Sequence, residues 1–288
     1  MVLEDDFSDI VKKARTGQGL AVADLAKAAG LKVGEMTELE RGRPPSRAET
    51  EAVAKALGLR AEPLAHIAVD GWLPPPVPSR TPYLETVLGD IGGYAVKGYV
   101  LSDPDTREAI VIDTGYNPGE MLRILDRQGV RLTGVCLTHG HSDHAGGLDR
   151  ILAQWPVPVY LGADDRRLLG WVPPKERLVL VRPSDEGRTI VVGGLTVRMM
   201  ITPGHTPGGI CYRVATRDQA LCFVGDTLFA GSIGRANPSS LYPVHLDSVR
   251  RRVLTLAKET ALLPGHGPAT TVAEEVHHNP FGSVQSYG

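Results

Sequence analysis

Apolar positions recur three or four residues apart through the first 71 residues, and from residue 83 onward they gather into short β-rich runs. The first pattern predicts helices over DFSDIVKKART, VADLAKAAG, KVGEMTELERG and RAETEAVAKALG, each with a glycine near its end. The second predicts strands over YLETVL, KGYVLS, EAIVID, GVCLT, PVPVYL, TIVV, LTVRMMI, ICYRVA, ALCFVG and ALLP. Helical spacing returns near 119–128, 145–154 and 246–258. Between the two regimes, Trp72 to Pro82 holds five of the 22 prolines and predicts an extended, semi-rigid join. The expected organisation is a helical domain over 1–71, a linker over 72–82, and a layered α/β domain over 83–288.

Composition adds exclusions. At 42% hydrophobic and 22% charged, the chain can fill a core, so disorder is not expected. A net charge of −2 gives no overall footprint for nucleic acid or anionic membrane. Cys136, Cys211 and Cys222 each sit alone in an apolar run, as small buried residues do, without the paired spacing of a disulfide framework or thiolate zinc site. The acidic start MVLEDDFSDI is not a leader peptide, and no 18-residue apolar stretch follows, so a cytoplasmic protein is expected.

The chemistry gathers in loops. His139, His141, Asp143 and His144 lie within six residues, between the apolar run GVC and the glycine-softened helix start AGGLDRIL. Three imidazoles and a carboxylate at one strand-to-helix turn cannot all enter a core. Such nitrogen and oxygen donors suit zinc, iron or manganese, and alternation along the turn can divide them between two adjacent ions. His205 in TPGHTPGG, Asp226 in FVGDTLF and His266 in LLPGHGPA each follow a β-like run and are flanked by glycine or proline.

In this order the seven residues resemble the metallo-β-lactamase superfamily, a four-layer αββα sandwich with metals at one edge, over roughly residues 80–288. The resemblance implies that His139, His141 and His205 hold one divalent ion, zinc foremost. Asp143, His144 and His266 would hold a second, and Asp226 would bridge the two. Two such ions lower the pKa of a shared water, and Asp143 and Asp226 are the catalytic carboxylates implied. The wording THGHSDHAGG, GDTLFAGSIGR and EEVHHNPF is similar to the glyoxalase II branch, which implies hydrolysis of a small thioester or ester. Arg235 then stands where that branch carries a basic substrate-binding residue, with Asn237 where it often carries an aromatic one. Alternatives on the same residues are lactonase or β-lactamase activity, or a persulfide dioxygenase with one iron on His139, His205 and Asp226.

Residues 17–42 resemble the helix-turn-helix of the lambda-repressor-like family, with Ala28-Ala29-Gly30 at the turn. DNA is the partner that this implies, and a metabolite-sensing regulator the whole-protein alternative. Residues 1–71 nevertheless carry ten Lys+Arg against twelve Asp+Glu, which favours a lid or a dimerisation piece over a DNA module. The remaining features have structural explanations. His277 and His278 fit a turn packing the tail, and Asp164-Asp165 with Arg166-Arg167 fit a solvated helix face. His66 and His245 lie in helical contexts without a signal, and Trp155 and Trp171 fit core packing.

Overall fold

The computed structural model describes residues 2–77 and 83–282, so Pro78 to Pro82 of the proline-rich stretch lie outside the described residues. Helices come first: α1 (Phe7–Gly17), α2 (Val22–Ala29), α3 (Val33–Glu40), α4 (Arg47–Leu57) and α5 (Ala61–Ala68). Then follow β1 (Leu84–Ile91), β2 (Tyr94–Asp103), β3 (Glu108–Thr114), α6 (Pro118–Gln128), β4 (Arg131–Cys136), α7 (Ser142–Ala145), α8 (Leu148–Gln154), β5 (Val159–Gly162) and β6 (Leu178–Val181). The chain continues through β7 (Thr189–Val192), β8 (Leu195–Ile201), β9 (Ile210–Ala215), β10 (Ala220–Gly225), α9 (Tyr242–Ser248), β11 (Ala261–Pro264), β12 (Thr270–Thr271) and α10 (Val272–His278).

Two mixed six-stranded sheets result, β1-β2-β3-β4-β5-β6 and β12-β11-β10-β9-β8-β7. The central strands β2, β3 and β10 are buried on both faces, and the period of two divides each of them between layers. Ile110 and Ile112 of β3 meet Tyr212 of β9 and Phe223 of β10 between the sheets, while Ala109 and Val111 face α6 and α8. In β10, Leu221 and Phe223 point inward, whereas Cys222 and Val224 point outward to a helical layer. The fold is therefore the expected αββα sandwich with a helical region before it. All three cysteines are buried and unpaired, consistent with their apolar settings.

The outer helical layer draws on both ends of the chain. Phe7, Ile10, Val11 and Ala14 of α1 and Leu25, Met36, Leu39 and Val53 of the following helices share one core with Cys211, Val224, Leu228, Tyr242 and Phe281. Local sequence sets these helices. Asp6 and Ser46 cap α1 and α4 through capping boxes, and Gly30 and Gly58 end α2 and α4 in the left-handed conformation. Three helical expectations need correction. The helix predicted at 145–154 starts only at Leu148, because Gly146-Gly147 separates α8 from the short α7 before it. The one predicted at 246–258 starts at Tyr242, where Pro243 favours a first turn, and passes into a π-turn over Val249–Val253. His277 and His278 belong to the last turn of α10, because Thr271 caps that helix by accepting from the Glu274 amide.

Candidate metal centre

Loops at one edge of the sandwich bring all seven expected residues together. The turn after β4 carries His139 and His141, and α7 presents Asp143 and His144. His205 follows β8, Asp226 follows β10 directly and His266 follows β11. Ligand atoms of His139, His141 and His205 lie within 4.8 Å of one another, as do those of His139, Asp143 and His144, and those of His144, Asp226 and His266. His205 Nε2 and His141 Nδ1 are 3.1 Å apart. Asp226 spans the cluster: its Oδ1 is 3.3 Å from His144 Nε2, and its Oδ2 is 3.5 Å from His205 Nε2 and 3.7 Å from His266 Nε2. Asp143 Oδ2 lies 3.2 Å from His266 Nε2 and 3.6 Å from His144 Nε2.

The opposite ring nitrogens of His139, His144, His205 and His266 are occupied, which fixes which nitrogen of each faces inward. His205 Nδ1 donates to the Arg235 carbonyl at 2.8 Å, and His266 Nδ1 to the Ala95 carbonyl at 2.7 Å. His144 Nδ1 donates to Asp113 at 2.9 Å, and His139 Nδ1 to the Thr138 hydroxyl at 3.1 Å. The inward atoms His139 Nε2, His144 Nε2 and Asp226 Oδ1 are buried without a hydrogen-bond partner. Orphaned atoms of this kind are costly, and their convergence with good donor chemistry fits a bound metal cation. Glycine makes the closeness attainable: a side chain at Gly265 would run into the His144 ring and the Asp226 carboxylate.

Charge is balanced inside the cluster. Burial pulls the His139 imidazole well below its ordinary pKa, and neighbouring His144 and His205 add to this. Burial likewise takes His205 to about 4, so its inward lone pair is free. Burial works against charge on His266 too, but Asp226 and Asp143 outweigh it and hold its pKa at about 9. For Asp226, burial would raise the carboxyl pKa, yet the fields of His144 and His266 hold it well below the usual range.

Two carboxylates not identified from sequence hold this site in place. Asp113, at the end of β3 and in a left-handed conformation at φ 52, is 2% exposed and accepts from His144, from the Thr138 amide and from the Thr138 hydroxyl. An acid closing the apolar run EAIVID was its one signal. Asp164, Arg166 and Arg167 are exposed as the solvated-face expectation has it, and Asp165 alone departs from it. It is fully buried and accepts from the Gly140 amide, the Thr206 hydroxyl and the Gly208 amide, joining the loops that carry His139, His141 and His205.

The substrate-side expectations fall at the rim. The Arg235 side chain is exposed, while its carbonyl orients His205; Asn237 is exposed, and its amide donates to the His205 carbonyl at 3.0 Å. His245, without a sequence signal, is fully buried and donates from Nε2 to the Thr227 carbonyl. His66 and His278 face each other through Nδ1 at 3.3 Å, and Trp72 stacks on His278; neither histidine belongs to a ligand set of the cluster. Trp155 is half-buried against the α6–α8 core, whereas Trp171 is 43% exposed rather than packed inside.

Comparison with known proteins places these features in a group. A family model described as the metallo-beta-lactamase superfamily matches residues 91–266. The probable metallo-hydrolase YqgX of Bacillus subtilis is 32% identical, over 66% of this chain and 94% of its own. The hydroxyacylglutathione hydrolase GloC of Haemophilus influenzae is 28% identical, over 63% of this chain and 91% of its own. Among solved structures, TTHA1623 in a di-iron-bound form is 30% identical with a TM-score of 0.52, covering 68% of this chain and 99% of its own.

Proposed function

The chain belongs to the metallo-β-lactamase superfamily, and from that premise we propose that it is a binuclear hydrolase of a small thioester or ester. The observation that carries this is the position of Asp226. Its two oxygens reach towards His144 on one side and His205 on the other, as a bridge between two ligand sets requires. His139, His141 and His205 form one set; Asp143, His144 and His266 form the other. Two divalent ions held there would bring a shared water's pKa towards neutrality and polarise a carbonyl. Zinc is the first choice, with iron and manganese compatible with the same donors.

The chain's own groups do the rest. Asp143, one-fifth exposed at the side chain, faces the opening and orients the attacking water. The buried His139 and the half-buried His205 present lone pairs towards the centre of the cluster. Arg235 holds the thiol or alcohol part of the substrate at the rim. The likeness to a hydroxyacylglutathione hydrolase supports a thioester, and the histidines and acids on both sides of Asp226 support two ions over one.

Metal analysis of purified protein, paired with a screen of S-lactoylglutathione, a lactone, a β-lactam and glutathione persulfide, tests the proposal. Two ions per chain with thioester turnover is the expected result. One iron per chain, persulfide consumption and no thioester cleavage would overturn it.

A further inference from the structure

The family model matches from residue 91 onward, so α1 to α5 lie outside it. These helices nevertheless meet the metal centre through one loop. Residues 226–237 begin at Asp226 and fold back on it, because the Gly234 amide donates to the Asp226 carbonyl at 3.1 Å. The loop then supplies the Arg235 carbonyl, which accepts from His205 Nδ1 at 2.8 Å, and the Asn237 amide, which donates to the His205 carbonyl at 3.0 Å. Nearer its start, paired backbone bonds join Phe229 to Ser232, and the Phe229 ring stands edge-on to the His266 imidazole with centroids 5.8 Å apart. His205, Asp226 and His266 all lean on this loop.

The helical segment grips the loop with side chains. Asp5 Oδ2 accepts from the Ser232 hydroxyl at 2.5 Å and pairs with the Lys13 ammonium. Lys13 of α1 also donates to the Ile233 carbonyl at 3.0 Å and stands 4.9 Å from the centre of the Phe229 ring. Its donors are thereby taken up by a carboxylate, a carbonyl and a ring face. Both side chains are nearly closed to solvent, at 6% exposure for Asp5 and 10% for Lys13. Desolvation offsets much of the attraction in such a pair, so its chief consequence is where it holds Ser232, Ile233 and Phe229. Ile67 of α5 and Trp72 press on the same loop, and a side chain at Gly231 would meet both. The hydrolase domain adds two ties of its own, from the Gly231 amide to Glu275 and from Asn279 to the Ser232 carbonyl.

Resting on the metal-centre assignment, we propose that Asp5 and Lys13 are positioning residues of that centre: they fix the loop 226–237 and, through it, the inward aim of His205 and His266. The helical segment is then a working part of the metal site. Partners one step outside the ligands tune metal affinity about 10–100-fold. Asp5 and Lys13 act one step further out, through the Arg235 carbonyl and the Phe229 ring, so the low end of that range applies.

Zinc competition against a chromophoric chelator and visible spectra of the cobalt(II)-loaded protein, both on the full chain, test this without turnover. Asp5→Asn combined with Lys13→Met removes both charges together, so neither is left buried and unpaired. This double variant is expected to lower zinc affinity about tenfold and to shift the cobalt bands, with the circular dichroism of the parent. Ser232→Ala cuts only the tie to Asp5, and about a threefold loss is expected. Leu25→Ala serves as the control, because Leu25 is buried in the same helical core on α2, which packs on α3 and α4. It is expected to lower the melting temperature and leave affinity and cobalt bands unchanged. Parent-like affinity and bands in the double variant would overturn the proposal. An equal loss in Leu25→Ala would do the same, since the effect would then be one of general stability. Should the double variant not fold, Ser232→Ala decides against Leu25→Ala by the same measures. If the variants behave as expected and no thioester is cleaved, the positioning role stands and the hydrolase assignment alone fails.

Discussion

Asp113 holds the Nδ1 proton of His144 at 2.9 Å, from a buried position that no ligand set includes. The bond aims His144 Nε2 at Asp226 and raises the ring's basicity, and the same carboxylate grips Thr138 immediately before His139. One acid outside the cluster thereby orients inward nitrogens on two histidines.

Asp113→Asn is therefore expected to weaken metal affinity about 10–100-fold while leaving the fold intact. Competition with a chromophoric chelator, alongside circular dichroism, measures both. Unchanged affinity would show that His144 is held by packing alone.

Asp226→Ala is expected to cost more, because it removes oxygens that face both ligand sets. Metal content should fall below one ion per chain and kcat/KM more than about a hundredfold. Full metal content and turnover in this variant would contradict the bridging role.

Gly265→Ala tests the packing of the cluster. The added methyl would collide with the His144 ring and the Asp226 carboxylate. The expected result is lost metal binding with thermal stability of the metal-free protein lowered by about 1–3 kcal/mol.

Arg235→Ala separates side chain from backbone, since the carbonyl that orients His205 stays in place. KM for the thioester is expected to rise, with kcat nearly constant and metal content unchanged. A fall in kcat with constant KM would assign Arg235 a role in the reaction itself.

Stability should carry a pH signature from Glu275. Burial raises its pKa to about 7, against the hydrogen bonds it accepts from Asn279, Thr270 and Gly231. The folded state then binds a proton that the unfolded state has released, from the ordinary glutamate value of 4.5 up to about 7. This contribution is present below that window and is lost as pH rises through it, an effect of at most about 3 kcal/mol. Glu275→Gln keeps the oxygen facing Gly231 and Asn279 and turns an amide towards Thr270. Melting temperatures of the chelator-treated protein should fall less steeply between pH 5 and 8 in the variant than in the parent.

Sequence alone determined the parts of this protein that obey local rules. Apolar spacing of three or four, with capping boxes at α1 and α4, marks α1 to α4, short β-rich runs mark most strands, and glycine beside His139, His141, His205, Asp226 and His266 marks loops where backbone can approach closely. The seven ligand candidates were legible because imidazoles and carboxylates in short glycine-rich turns have no place in a core. The bounds of α5 escaped, although His66 reads as lying in a helical context, since Pro63 near the start of Ala61–Ala68 looks in sequence like a break.

Tertiary structure decided what depends on distant chain segments meeting. Asp113 and Asp165 look in sequence like any acid at a strand end or beside arginines; burial against Thr138, Gly140, Thr206 and Gly208 is what turns them into anchors of the site. The docking of the helical segment was equally hidden. Its apolar stripes announce a partner but not which one, because hydrophobic burial is non-directional. Only the close approach of Glu4 to Gly267, more than 250 residues away in the chain, sets it beside the metal centre.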